Sequence, residues 1–415
     1  MSRESLEDTM VSVADIQSPL ITDDWRIHGS VYRDPLVFER EMNTIFARSW
    51  IFVAHESEVA DGGDYKIARI GRQPVIVSRS ADDRRINVMF NRCRHRGSAV
   101  CQRETGNANF FRCAYHGWTY SSDGELIGVP FADGYGEGFD KDTMGLVHVP
   151  RVDTYRGFIF ATLDPDAPRL EDYLGHARPY LDFIAELGDG IELSAHAHKL
   201  VYHGNWKLQV ENTIDPYHFS FTHKSWLDIL KDRSGKPSTW VQNVTANAAW
   251  RGVDLLGGHS VHEYGELAAQ DKSHGVGIGD LLPFNFIIFP TLSFVGAHLR
   301  LVVPRAVDET AVYLYPIMPK GGDETARANV LRSHEGFYGP SGAGSSDDIE
   351  VAFDRVSSGL SATATTEDWI LMSRGLQREV VDQDTGVRVG RSTDEVPQRG
   401  FYRQWKELVG DGRAS

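Results

Sequence analysis

The sequence predicts an α+β protein of two unequal parts. One is a small all-β domain built around two ligand-bearing loops; the other is a larger domain whose mostly antiparallel sheet is covered by helices. Three observations predict this. Cys93-Arg94-His95 and Cys113-Ala114-Tyr115-His116 form C-x-H and C-x-x-H pairs with seventeen residues between them. Short β-like runs bounded by turn residues surround both pairs. After residue 163 the chain alternates helical and strand-rich stretches over a length that a small β domain cannot absorb.

Residues 34–47 read as a helix. Asp34 can cap it, Pro35 suits its first turn, and Phe38, Met42, Ile45 and Phe46 share one face. Strands are expected over 65–70, 74–80, 86–91 and 109–113, followed by a hairpin turning at Asp123-Gly124. A strand pair over 152–163 closes this part, and the run 164–168 (Asp-Pro-Asp-Ala-Pro) reads as a connector. The predicted organisation is an N-terminal helical segment, 1–45, packing on the larger domain, then a ligand-loop domain over 46–163, then the larger domain over 164–415. In the last, 284–314 is strand-rich, and from about 323 the pattern turns helical apart from the Gly/Ser-rich loop 339–346.

The composition is that of an ordinary globular protein, 41% hydrophobic and 24% charged. A net charge of −15 argues against nucleic-acid binding. The N-terminal residues 2–8 are acidic and polar, unlike a signal peptide. The longest apolar stretch, 284–296, is interrupted by Asn285, Pro290 and Ser293, so no membrane span is expected. Three cysteines provide no disulfide framework, which favours a cytoplasmic setting. Cys101 has no matching partner and reads as a buried thiol. Against the acidic background, Arg92, Arg94, Arg96, Arg103 and Arg112 crowd the Cys/His segment, either to steer an acidic redox partner or to brace the loops or a neighbouring subunit.

Two thiolates and two imidazoles can hold a [2Fe-2S] cluster, with the sulfurs on one iron and the histidines on the other. Neutral imidazole in place of thiolate raises the reduction potential. Zinc modules use the same residue types but commonly begin with a C-x(2-4)-C pair. The flanks, Cys93-Arg94-His95-Arg96-Gly97 and Cys113-Ala114-Tyr115-His116-Gly117-Trp118, closely resemble the Rieske motif of non-haem iron oxygenases.

Downstream, the segment 205–223 carries His218 and His223 in an aromatic setting. Five residues apart, they share no helical face, and they converge only if the helix ends or bends between them. With one carboxylate they would form a facial triad that leaves iron positions open. The run Glu211-Asn212-x-x-Asp215-x-Tyr217-His218-x4-His223 resembles the mononuclear iron motif of ring-hydroxylating oxygenase α subunits. The likeness extends to Gly339-Pro340-Ser341-Gly342 before Asp347-Asp348, and to Arg399-Gly400-Phe401-Tyr402-Arg403 near the C-terminus.

That resemblance implies His218 and His223 as ligands of a mononuclear Fe(II). Asp348 would be the third ligand, with Asp347 and then Asp368 as alternatives. A plainer reading of Asp347-Asp348 is helix N-capping before 349–356. Asp215 would link the iron to the cluster of an adjacent subunit through His218 and that neighbour's His116, which implies a homotrimeric ring, α3β3 with a small β subunit or a bare α3. Asn212, Ile214, Phe219 and Phe221 are expected at the substrate pocket. Two residues separate Asn212 from Asp215, where naphthalene-type members carry three; the shorter form resembles members acting on benzoate-like substrates. The implied function is hydroxylation of a small aromatic substrate, an aromatic carboxylate by expectation, with O2 and NAD(P)H-derived electrons. A ferredoxin and/or a reductase would deliver them, since no G-x-G-x-x-G follows a predicted strand here. The alternative is a Rieske monooxygenase or N-demethylase acting on a quaternary or methylated amine.

Overall fold

The structure is a computed structural model that describes residues 20–193, 197–236, 250–265, 282–296, 298–321, 324–339, 342–362 and 368–410. The acidic residues 2–8, the start of the N-terminal segment, and Pro340 and Ser341 lie outside the described residues.

The helix Pro35–Arg48 begins where its cap predicts: the Asp34 side chain accepts from Leu36 N at 2.8 Å, and Val37, Phe38, Met42, Ile45 and Phe46 are buried. After it the chain builds three small antiparallel sheets. Ile86–Phe90, Gln73–Arg79, Asp64–Ile70 and Thr105–Asn107 form the first, in that order across the sheet. Arg151–Tyr155, Phe158–Thr162 and Ile51–His55 form the second; Phe110–Arg112, Thr119–Ser121 and Leu126–Gly128 form the third. The predicted hairpin turns at Gly124, whose φ of +88° an L side chain would resist. The ligand loops leave the ends of Ile86–Phe90 and Phe110–Arg112, so two short sheets hold both.

Beyond the connector, a ten-stranded sheet dominates. Its centre is the meander Ser260–Glu263, Phe284–Ile288, Leu292–Val295, His298–Ala306 and Glu309–Pro319, and every registered pairing is antiparallel. The C-terminal helix Val396–Val409 covers the strands Arg251–Asp254 and Ser260–Glu263 on one side and packs against Pro35–Arg48 on the other. Phe158 meets Phe294 at 5.6 Å between centroids, so the strands after the cluster loops share a core with the large sheet. Among the described residues, no helix is long and apolar enough to cross a membrane.

One buried polar node ties the N-terminal helix to the motif segment. Glu41 accepts from Trp206 Nε1 at 2.8 Å, Lys207 Nζ at 2.5 Å and Trp405 Nε1 at 2.7 Å. Glu41 and Lys207 are both fully buried. Burial pulls the Lys207 ammonium below its usual pKa even with Glu41 beside it. Removing one partner leaves the other charge stranded, at a cost of about 3–5 kcal/mol. Glu41→Ala is therefore expected to lower the thermal midpoint by roughly 5 °C. A calorimetric scan that shows no shift would contradict a structural role for the node.

Candidate cluster site and mononuclear metal centre

The two ligand loops are built alike. Cys93 O accepts from Gly97 N at 2.9 Å, and Cys93 N donates to Ser98 O at 2.8 Å. Cys113 O accepts from Gly117 N at 3.0 Å, and Cys113 N donates to Trp118 O at 2.8 Å. Each turn closes through a glycine at positive φ, +74° at Gly97 and +72° at Gly117, which explains the shared His-x-Gly and His-Gly endings. Cys93 and Cys113 are buried free thiols, and the His95 and His116 rings stand 4.5 Å apart. His95 stacks on Trp118, and its Nδ1 is buried without a hydrogen-bond partner, as suits a nitrogen reserved for a metal. Two inward sulfurs and two facing imidazoles fit a [2Fe-2S] cluster.

Cys101 is buried and unpaired, and burial pushes its thiol up to about 12. Arg92, Arg94, Arg96, Arg103 and Arg112 are exposed, and none has a carboxylate partner among the described residues.

Tyr120 adjusts this site. Its Oη lies 3.2 Å from Cys93 Sγ and accepts from Arg94 N at 3.0 Å. A hydroxyl donating to a ligand sulfur stabilises the electron-rich reduced cluster. Tyr120→Phe should therefore lower the cluster potential, by roughly 60 mV for one charge-assisted hydrogen bond. Redox titration of the cluster's visible absorbance measures it.

The second centre forms where the motif segment changes direction. Asn205 caps the helix Trp206–Thr213 by accepting from Lys207 N at 3.2 Å. That helix stops at Ile214, and a four-residue helical turn, Phe219–Thr222, follows with His218 at its start and His223 at its end. The break brings the two rings to 5.5 Å between centroids. Asp348 completes the group: Oδ1 lies 3.7 Å from His218 Nε2 and 3.3 Å from His223 Nε2. One atom from each residue falls within 4.8 Å of the others, a metal-sized spacing.

Asp347 and Asp348 are not helix caps. Both have helical backbone angles, and Asp348 opens a π-helical stretch, Asp348–Asp354, that continues Ala343–Asp347. Such wide turns often mark functional sites. Here the widening lets consecutive carboxylates serve one site. Asp348 faces both Nε2 atoms, while Asp347 Oδ2 lies 3.4 Å from His223 Nδ1. Asp215 Oδ2 lies 3.4 Å from His218 Nδ1, within ion-pair reach though not aligned as a hydrogen bond. Each histidine thus has a carboxylate behind it, the outer-shell pattern that orients metal ligands. Asp368 is elsewhere, paired with Arg33 and 3.6 Å from His28.

Burial alone would lower the His218 imidazole, but Asp215 and Asp348 outweigh it and raise its pKa above the usual value. For Asp348, burial acts upward while His223, His218 and Arg300 act downward, and the carboxyl ends below its usual range. It is a carboxylate, the form a metal needs.

These atoms line a pocket between the motif segment, the large sheet and the helix Glu324–Tyr338. Asn212 and Phe219 line it as expected; Asn212 Nδ2 donates to Asp348 Oδ1 at 3.1 Å. Two expectations fail. Ile214 is 1% exposed in the core, and Phe221 is 72% exposed on the surface. Phe219 and Phe221 sit two residues apart on one helical turn, about 200° around it, so one enters the pocket while the other leaves it. The sequence reading missed Thr213, Asn285, Phe337, Tyr338 and Arg300, all in the wall. For Arg300 a signal existed: a lone cation inside the apolar strand run Leu299-Arg300-Leu301-Val302-Val303.

A cluster-binding β domain joined to a two-His-one-carboxylate pocket defines a Rieske-type non-haem iron oxygenase. Comparison with known proteins agrees: residues 49–152 match the Rieske [2Fe-2S] domain, and 170–411 match the ring hydroxylating alpha subunit catalytic domain. The large subunit of 2-halobenzoate 1,2-dioxygenase from Burkholderia cepacia is 32% identical over 90% of this chain and 85% of its own. Toluate 1,2-dioxygenase subunit alpha from Pseudomonas putida is 31% identical over 88% and 84%. Naphthalene 1,2-dioxygenase with indole in its active site superposes with a TM-score of 0.82 at 29% identity, covering 96% of this chain and 95% of that one. The chain belongs to the ring-hydroxylating oxygenase α-subunit family. It is an oxidoreductase whose cofactors are a Rieske [2Fe-2S] cluster and a mononuclear non-haem iron.

Proposed function

We propose that this chain hydroxylates the ring of an aromatic carboxylate as the large oxygenase component of a multicomponent system, with Cys93, His95, Cys113 and His116 holding the cluster and His218, His223 and Asp348 holding the iron. The convergence of His218 Nε2, His223 Nε2 and Asp348 Oδ1 in the wall of a half-apolar pocket carries the reading. When bound there, iron supplies open positions at which dioxygen is activated. The chain's own work is to fix the two imidazoles through Asp215 and Asp347 and to keep water off the reacting edge with Phe219, Phe337 and Leu282. The 2-halobenzoate and toluate relatives support an acid substrate, as does the short Asn212–Asp215 spacing. A buried Arg300 in the wall disfavours the quaternary-amine alternative, because two cations would share a water-poor pocket.

Electrons arrive from a reductase, directly or through a ferredoxin, and cross between chains of a homotrimeric ring, α3β3 with a small β subunit or a bare α3. What supports this is surface chemistry. His116 has Tyr115 beside it at 60% exposure, and Asp215 holds Tyr217, whose ring meets that of Phe221 at 5.9 Å, the two rings 44% and 72% exposed. Two aromatic surfaces next to the two redox sites are the kind that subunit contacts cover.

A single-turnover experiment tests the reading. The protein is reduced chemically, then given labelled oxygen with benzoate, anthranilate, naphthalene and carnitine in turn. A cis-diol of an aromatic acid carrying both labelled atoms is expected. An aldehyde with a demethylated amine would replace this reading, and oxidation of naphthalene alone would remove the carboxylate from it.

A further inference from the structure

Arg300 is the one arginine or lysine among the described residues lining the iron pocket. It is the third residue of the strand His298–Ala306 and is only 5% exposed. Nη1 donates to Thr213 Oγ1 at 3.3 Å, and Nε has no partner. No carboxylate of the described residues lies within ion-pair distance of it. Its guanidinium carbon stands 5.6 Å from the ring centroid of Tyr338.

Asp348 acts on that charge through space but forms no ion pair with the guanidinium. Next to Tyr338 lie two fully or almost fully buried imidazoles, His298 and His334, with no hydrogen bond to any ring nitrogen. Burial, with Arg300's own charge adding to it, holds His298 well below its usual pKa and His334 down to about 4. Both are neutral. Asp348 is turned toward Asn212 and the two histidines. A buried guanidinium with no carboxylate paired to it directly is costly, and the cost falls when a ligand supplies that anion. A planar guanidinium matches a carboxylate in a two-point contact better than any other side chain does.

We propose that Arg300 is the anchor of the substrate carboxylate: an aromatic acid enters with its carboxylate on the guanidinium and its ring between the apolar walls, which sets the ring edge toward His218, His223 and Asp348. This rests on the aromatic-acid reading above and adds the residue that enforces it. Thr213 is a positioning residue, since it holds one nitrogen of the fork and leaves the others to the ligand.

The test compares benzoate with benzamide, which has the same ring and outline but no charge, in chemically reduced holoprotein, reading product yield against substrate concentration. In the unaltered protein, benzoate should half-saturate on the order of 10- to 150-fold below benzamide, the range for a hydrogen-bonded charge contact. Arg300→Gln should abolish that preference, the half-saturation for benzoate rising to meet that for benzamide measured in the same variant. Arg300→Lys, which keeps the charge without the fork, should fall between. Iron content and cluster absorbance report folding; if the Gln variant loses iron, the unaltered protein and the Lys variant decide. Equal half-saturation by benzoate and benzamide in the unaltered protein overturns the proposal, as does a benzoate response unchanged in Arg300→Gln. If the unaltered protein oxidises neither acid nor amide but does oxidise naphthalene, the aromatic-acid reading fails and the anchor fails with it.

Discussion

Replacing His223 with alanine is expected to strip the mononuclear iron and abolish oxygenation while leaving the cluster intact. His223 is 2% exposed, and its Nε2 is one of three ligand atoms within 4.8 Å of one another. No fourth His, Cys, Asp or Glu joins that group among the described residues, so a lost imidazole has no substitute. The cluster loops lie at the ends of separate small sheets, and among the described residues no hydrogen bond links them to this helical segment. Removing several kcal/mol of metal-borne stabilisation lowers turnover by at least about 10³-fold. Iron per acid-labile sulfide should fall to the cluster's own ratio, with the cluster's absorbance retained. The two neighbouring aspartates then separate by role. Asp348→Ala should behave like His223→Ala, because Asp348 faces both Nε2 atoms. Asp347→Ala should keep the iron and weaken its binding about 10- to 100-fold, as loss of an outer-shell carboxylate does. If Asp347→Ala strips the iron and Asp348→Ala does not, the assignment is reversed.

What could be read from the sequence follows from how local each feature is. The cluster ligands lie in two turns of five residues, each closed by its own glycine, so spacing alone places Cys93 near His95 and Cys113 near His116. The strand runs over 65–90 and 284–314 were legible for the same reason, since alternation and turn residues act over a few positions. His218 and His223 were legible as a pair only under a condition, a helix break between them, and the chain meets it by ending Trp206–Thr213 at Ile214. Asp348 lies 125 positions beyond His223, so only resemblance could join them. Periodicity also misplaced side chains. Capping was a fair expectation for Asp347-Asp348, but the preceding Ala343–Asp347 turn runs straight into the π-helical stretch and leaves no helix start to cap. Phe221 failed because aromatic character says nothing about which side of a four-residue turn a ring leaves from. Arg300 needed the face of a strand in the middle of a ten-stranded sheet, which depends on which helix covers it.

Asp215→Ala should bind iron, reduce its cluster normally and still turn over at least about 10- to 100-fold more slowly, because the carboxylate behind His218 is missing. Within one chain Asp215 holds two things: Oδ1 accepts from Tyr217 N at 2.8 Å, and Oδ2 faces His218 Nδ1 at 3.4 Å. Its side chain remains 31% exposed, and Arg374 lies 4.2 Å over the Tyr217 ring beside it. Under the ring arrangement proposed above, this open side is where the neighbouring chain's imidazole would dock. Asp215→Asn separates the roles: it can still accept from Tyr217 N, so a rate restored by Asn would make Asp215 a brace for the loop, and a rate still lost would make it the shared carboxylate. Stopped-flow reoxidation of the reduced cluster under oxygen and substrate reads the transfer step directly. Mixed assemblies give the complementary test. A chain with Cys93→Ser lacks the cluster, and a chain with His223→Ala lacks the iron; neither should turn over alone. Co-expressed, they should recover part of the activity if electrons pass from one chain's His116 to its neighbour's Asp215. If transfer stays within each chain, the mixture remains as inactive as its parts, and the ring arrangement has no role in catalysis.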